Sequence, residues 1–213
     1  SLRFEDGSSA YLSRTPSSAG NRKTWTMSLW FKRGNLTNDQ TIFQAGTTGG
    51  NRANIYLANN TIQFLDTTST DVLFTSSQLL RDVSSWYHLV VQFDTTQGTA
   101  SDRLKMYLNG TRITAFADSN TIAQNTDGLV NSTIAHAFGT PAYNSGIAQF
   151  DGYMAEVHFI DGTALTPTSF GETGTYGEWK PIGVSGLTYG TNGFYLNFAT
   201  AADMGDDKSG NTN

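Results

Sequence analysis

An all-β fold, two antiparallel sheets packed as a sandwich, is what this sequence predicts, on three observations. Apolar residues recur with period two along most of the chain. Asn109-Gly110 stands between two such runs, and both central residues of a type I′ hairpin need positive φ. Helical periodicity is nearly absent, and turn residues separate many short runs.

The elements follow in order. In "WTMSLWFK", Trp25, Met27, Leu29 and Phe31 form one face and Thr26, Ser28 and Lys32 the other, with Trp30 the exception. In "WYHLVVQF", Tyr87, Leu89, Val91 and Phe93 alternate with Trp86, His88, Val90 and Gln92. In "RLKMYLNG", Leu104, Met106 and Leu108 alternate with Arg103, Lys105 and Tyr107, and Ile113 resumes the pattern after the turn. Weaker strands are expected at 40–46, 53–58, 61–66, 132–139 and 193–198, the last with Phe194, Leu196 and Phe198 on one face. One short helical turn is expected at 166–171, capped by Thr166, with Pro167 at its first position and Gly171 ending it.

The stretch "FDGYMAEVHFIDG", residues 150–162, raises the question of catalysis. Strand side chains alternate faces. Parity therefore groups Glu156 and His158 with Met154 and Ile160, and Asp151 and Asp161 with Tyr153, Val157 and Phe159, so Asp151 and Glu156 oppose each other unless a bulge intervenes. A retaining glycosidase needs two carboxylates about 5 Å apart. Gly152 and Ile160 occupy the places where a partner for Glu156 would stand. Asp151-Gly152 and Asp161-Gly162 are expected as turn dipeptides bracketing the strand. His88 is expected as a hydrogen-bonded strand histidine rather than a base, and neither a Ser-His-Asp spacing nor a His-x-x-x-His pair occurs. No catalytic residue is predicted.

All 213 residues are expected to form a single domain: core motifs over 1–171, then a Gly-rich wrapping segment, a late strand and a frayed polar tail over 172–213. Aromatic content of 12% suffices for a large core, so disorder is excluded. Net charge is −5 with no Lys/Arg cluster, which removes the electrostatic basis for nucleic-acid binding. No apolar run is long enough to insert into a membrane as a helix, and no signal peptide opens the sequence. The absence of cysteine excludes disulfides, Cys-ligated zinc and thiol catalysis.

The ordered set "RFEDGSSAYL", "WTMSLWFKR", "TIFQAG", "SSWYHLVVQFDTT", "RLKMYLNGTRI" and "FDGYMAEVHFIDGTALTP" resembles the laminin-G-like and pentraxin-like branch of the concanavalin A-like lectin/glucanase superfamily. The resemblance covers residues 1 to about 171 and implies a jelly-roll sandwich. The tail "GEWKPIGVSGLTYGTNGFYLNFATAADMGDDKSGN" resembles an extension of such domains in structural proteins of tailed bacteriophages. It implies a virion component, a tail fibre, receptor-binding protein or capsid decoration, that contacts host glycan or other virion proteins through rim loops. A secreted bacterial carbohydrate-binding or adhesion domain is the alternative, and a glycoside hydrolase or lyase the second. The implied location is the virion or the extracellular space, and a homo-oligomer is possible.

Relatives of this kind hold calcium at the sandwich rim, which needs six to eight oxygen ligands. Candidates here are Asn51 and Asn54 in one loop, Asp66 and Asp71 in a second, and Asp118 and Asp127 in a third. For glycan, aromatics beside amides on loops are the candidates: Tyr143 with Asn144, and Tyr176 and Trp179 in the Gly-rich segment. Trp25, Trp30 and Trp86 lie in strand patterns and are expected to be structural.

Overall fold

The structure, a computed structural model, describes residues 1–68, 72–144, 146–211 and 213. In chain order its strands are β1 (Leu2–Phe4), β2 (Leu12–Arg14), β3 (Thr24–Arg33), β4 (Gln40–Thr48), β5 (Asn51–Ala58), β6 (Thr61–Asp66), β7 (Val72–Ser76) and β8 (Tyr87–Asp94). There follow β9 (Leu104–Leu108), β10 (Thr111–Arg112), β11 (Phe116–Ser119), β12 (His136–Phe138), β13 (Gly152–Asp161), β14 (Gly171–Thr173), β15 (Trp179–Pro181) and β16 (Phe194–Leu196). Two seven-stranded antiparallel sheets form the sandwich. The first runs β1-β13-β3-β8-β9-β10, with β16 also on β13; the second runs β11-β7-β6-β5-β4-β12-β2. Strands β14 and β15 pair separately. Among the described residues the only helical pieces are 3-10 turns. The expected one spans Pro167–Ser169, and Thr166 makes no side-chain cap there; its hydroxyl faces that of Thr168 instead.

Alternation decides the core. Trp25, Met27, Leu29 and Phe31 from β3 and Leu89, Val91 and Phe93 from β8 meet Ile55, Leu57, Ile62 and Phe64 from the second sheet. The Trp25 ring stacks on Phe93 at 5.1 Å. Asn109 and Gly110 take φ of 48° and 78°, the hairpin that Asn-Gly demands. Asn59 and Asn60 do the same between β5 and β6.

Two features of β13 depart from expectation. Gly152 is not a turn residue but the first residue of the strand, pairing with Arg33 and Phe4. Its φ is 148°, and a Cβ there would lie 2.0 Å from the Lys32 carbonyl oxygen. Gly152→Ala is therefore expected to cost at least about 2 kcal/mol, read as a lower urea midpoint. The second feature is a bulge between Ala155 and His158, with Glu156 at φ 49°. It shifts the phase of the strand. Met154 points into the core before it, and Val157 and Phe159 after it, while His158 and Ile160 point outward. The uniform parity expected for this strand therefore fails at its middle.

Residues 163–193 pack on the outer face of the first sheet, where Phe170, Tyr189, Leu165 and Leu187 close over Val90 and Ile160. The tail is not frayed. The Asp207 carboxylate accepts from the backbone N–H of Tyr195, Ser209 and Asn213, and Lys208 N–H donates to the Tyr195 carbonyl. Asp161, expected in a turn, is a buried tie point. It accepts from Asn21 N–H (2.8 Å), Asn131 Nδ2 (2.7 Å) and Asn192 N–H (3.0 Å), joining three distant segments.

Candidate functional site

The outer face of the first sheet carries most of the polar chemistry. His88 lies between Leu89 and Tyr87, both inward, and so faces out. The Trp179 indole N–H donates to His88 Nδ1 at 2.8 Å. Nδ1 therefore accepts, and Nε2–H donates to Ser28 Oγ at 2.9 Å. That polarity is wrong for a base acting on Ser28, and an indole stands where a triad would have a carboxylate. Both residues are fully buried. Burial also lowers the His88 pKa to about 4. His158, lowered by burial and by His88 to about 3, meets the Tyr189 hydroxyl through Nδ1 at 2.8 Å. His136 Nε2 accepts from Asn131 N–H, so its Nδ1–H donates to the Ile134 carbonyl. Its pKa falls to about 4, again chiefly through burial.

The bulge turns Glu156 onto this outer face, where Tyr195 donates its hydroxyl to the Glu156 carboxylate and stacks on His158 at 4.1 Å. Burial, then Glu156, pushes the Tyr195 pKa up. Asp151 reaches the same side of the sheet, since it takes Arg3 Nη2 at 2.7 Å and Asn35 Nδ2 at 3.0 Å. The two carboxylates thus share a face, contrary to the parity reading. Four strand residues stand between them, a step of five positions or about 16 Å at the usual rise, beyond either glycosidase spacing.

Closer to Asp151 lies an exposed cross-strand row. Arg3 pairs with Tyr153, and Tyr153 with Lys32. Trp86, the residue before β8, comes next. The Trp86 and Tyr153 rings meet at 6.5 Å and 57°, and the Arg3 guanidinium carbon lies 5.2 Å from the Tyr153 ring centre. Trp86 is 37% and Tyr153 38% exposed. Lys32 forms no ion pair among the described residues. Beyond the row, at the rim, Glu5, Asp6 and Asp151 present oxygens within 4.8 Å of one another. Trp86 was expected to be structural. Its parity with His88, Val90 and Gln92, all outward, was the available signal.

The glycan candidates do not form one site. Trp179 belongs to the outer face of the first sheet, but its N–H is spent on His88 and its ring covers Gly110 and Gly171, where a Cβ would lie 2.6 and 2.7 Å away. Tyr176 is 95% exposed in the turn between β14 and β15. Tyr143 and Asn144 sit on the opposite side of the molecule. Their loop is held by Ala142 N–H on Gln44 Oε1, and Gln44 points away from its inward neighbours Phe43 and Ala45.

The calcium candidates are also dispersed. Asn51 donates to Thr47 Oγ1 at the tip joining β4 and β5, whereas Asn54 is buried on the outer face of β5. Asp118, paired with Thr75 of the neighbouring β7, lies three strands from Asn54 on β5, about 14 Å at the usual spacing. Asp127 lies by Arg22, which bonds its carbonyl. These candidates, read from three separate loops, therefore lie on different strands and faces and do not converge on one another. Asp66 is buried, its oxygens taken by Thr68 and Leu129 N–H, and Asp71 lies outside the described residues. Among the described residues the trio able to ligate a metal is Glu5, Asp6 and Asp151, where Arg3 and the Asn35 amide already occupy Asp151.

An apolar cleft of about 250 Å³ opens between the sheets, walled by Leu12, Phe43, Phe138, Phe159, Phe194 and Leu196. Its polar rim is spent internally: Arg14 donates to the Asn192 carbonyl and Asn213 Oδ1, and both His136 nitrogens are bonded. It offers little to orient a polar ligand.

Comparison with known proteins agrees with this architecture. The NanB sialidase of Streptococcus pneumoniae matches at 17% identity and TM-score 0.58 over 79% of this chain and 26% of its own. A Bacteroides ovatus protein named as a candidate carbohydrate-binding protein matches at 16% and 0.57, over 92% of this chain and 54% of its own. The CBM40 of the Ruminococcus gnavus IT-sialidase matches at 13% and 0.50, over 75% and 95%. At these identities the likeness is one of fold, and this chain spans about a quarter of the NanB sialidase. No curated protein matches the sequence. No helix among the described residues is long and apolar enough to cross a membrane. A laminin G family model, described as concanavalin A-like lectin/glucanases superfamily, matches residues 6–169, and the chain belongs to that superfamily.

Proposed function

We propose that this chain is a non-catalytic carbohydrate-recognition domain that binds sugar on the outer face of its first sheet. The observation that carries the reading is the exposed Trp86–Tyr153 pair beside Lys32 and Arg3. Aromatic faces with a few polar groups around them are what a sugar's apolar C–H surface and hydroxyls need. The fold shared with the CBM40 of a sialidase supports it. Trp86→Ala and Tyr153→Ala are each expected to weaken glycan binding about tenfold or more, while moving the thermal midpoint by only about 2 °C. A glycan array without a binder would sink the reading. Release of reducing sugar from polysaccharide, abolished in Glu156→Gln, would replace it with an enzyme.

The setting is either an extracellular bacterial protein or a virion. The virion reading is favoured by the resemblance of the C-terminal segment alone, and copurification with capsid or tail proteins tests it.

A further inference from the structure

We infer that the Trp86–Tyr153 face selects uncharged sugars over acidic ones. This rests on the carbohydrate-binding reading above and adds the class of sugar. The row Arg3–Tyr153–Lys32–Trp86 supplies two cations. Three carboxylates, Glu5, Asp6 and Asp151, cluster at its rim end. Glu156, turned outward by the bulge, lies three positions along β13 from Tyr153, about 10 Å at the usual rise, and already accepts from Tyr195. The Arg3 charge is already offset by Asp151. Arg3 Nη2 is held by that carboxylate at 2.7 Å, and the guanidinium lies against the Tyr153 ring. Lys32 is thus the one uncommitted cation of the row, and the whole chain carries −5. A sialic or uronic carboxylate docked on the rings would meet an excess of negative charge at short range. A neutral pyranose would instead stack its C–H face on the rings and donate hydroxyl hydrogens to the carboxylates, which are acceptors only.

The test is calorimetric titration, in EDTA to exclude metal-bridged binding, with oligosaccharides taken from the array in matched pairs that differ by one acidic sugar. The neutral member is expected to bind about tenfold tighter, and more so at low ionic strength. Glu5→Gln and Asp6→Asn are expected to narrow the gap, and Trp86→Ala to weaken binding of both members about tenfold or more. Equal or tighter binding of the acidic member would overturn the charge inference while leaving carbohydrate binding intact. Preserved binding in Trp86→Ala would overturn the location. An absence of any bound glycan would instead remove the underlying reading.

Discussion

Asp161→Ala is expected to lower the thermal midpoint by about 10 °C. The carboxylate holds three donors: the backbone N–H of Asn21 and Asn192 and the side-chain amide of Asn131. Asn131 also donates to the Asn21 carbonyl, and Asn192 donates to Asn131 Oδ1 and the Ser18 carbonyl. Removing the acceptor leaves buried donors without partners, at about 1–3 kcal/mol each before water relaxes the site. A total of about 4 kcal/mol corresponds to roughly 10 °C for a chain of this size. Glu172→Ala is the control. Its ion pair with Lys180 is half-exposed, and its loss should be within about 0.5 kcal/mol. A drop of only about 2 °C in Asp161→Ala would mean that the knot relaxes around water.

Acidification is the second large effect. His88 and His158 are buried neutral, with pKa values of about 4 and about 3 against an ordinary 6.5. In both, the unfolded state binds the proton first, so folding stability falls as pH drops from 6.5 toward about 4. A shift of that size is worth roughly 3 kcal/mol for His88 alone. The histidines dominate above about pH 5, where ordinary carboxylates remain ionised. Protonating His88 Nδ1 would also set an N–H against the Trp179 indole N–H, loosening the segment laid over this face. Urea midpoints should fall steadily between pH 6.5 and pH 4.5, and His158→Phe should flatten that slope by about one proton. An unchanged slope in His158→Phe would show that other groups govern the acid limb.

The sandwich was legible because every second residue from Trp25 to Phe31 in β3 and along β8 and β9 is apolar on the inward face, despite Trp30 and Val90 on the outer one, and because Asn109-Gly110 admits few other conformations. Short strands such as β1, β2, β11 and β14 escaped notice, being too brief for a period to register. The bulge at Glu156 was illegible for a different reason. A non-glycine in the left-handed region has no composition signal, and one inserted residue inverts every parity inference after it. The glycan candidates were drawn from loops, whereas the exposed aromatics lie on a sheet face. Tryptophan in a strand pattern ordinarily signals core, and only its parity with His88, Val90 and Gln92 marks Trp86 as outward and part-exposed. The Asp161 knot joins residues far apart in sequence, and no local pattern encodes such a meeting.

β1 pairs with Gly152–Met154 and β16 with Val157–Phe159, on either side of the bulge. Both run antiparallel to β13, so they lie nearly end to end, with Leu196 followed in space by Leu2. A single border strand is thus assembled from two pieces at opposite ends of the sequence. During synthesis that border stays half open until residues 194–196 emerge, which makes sheet completion a late, non-local step.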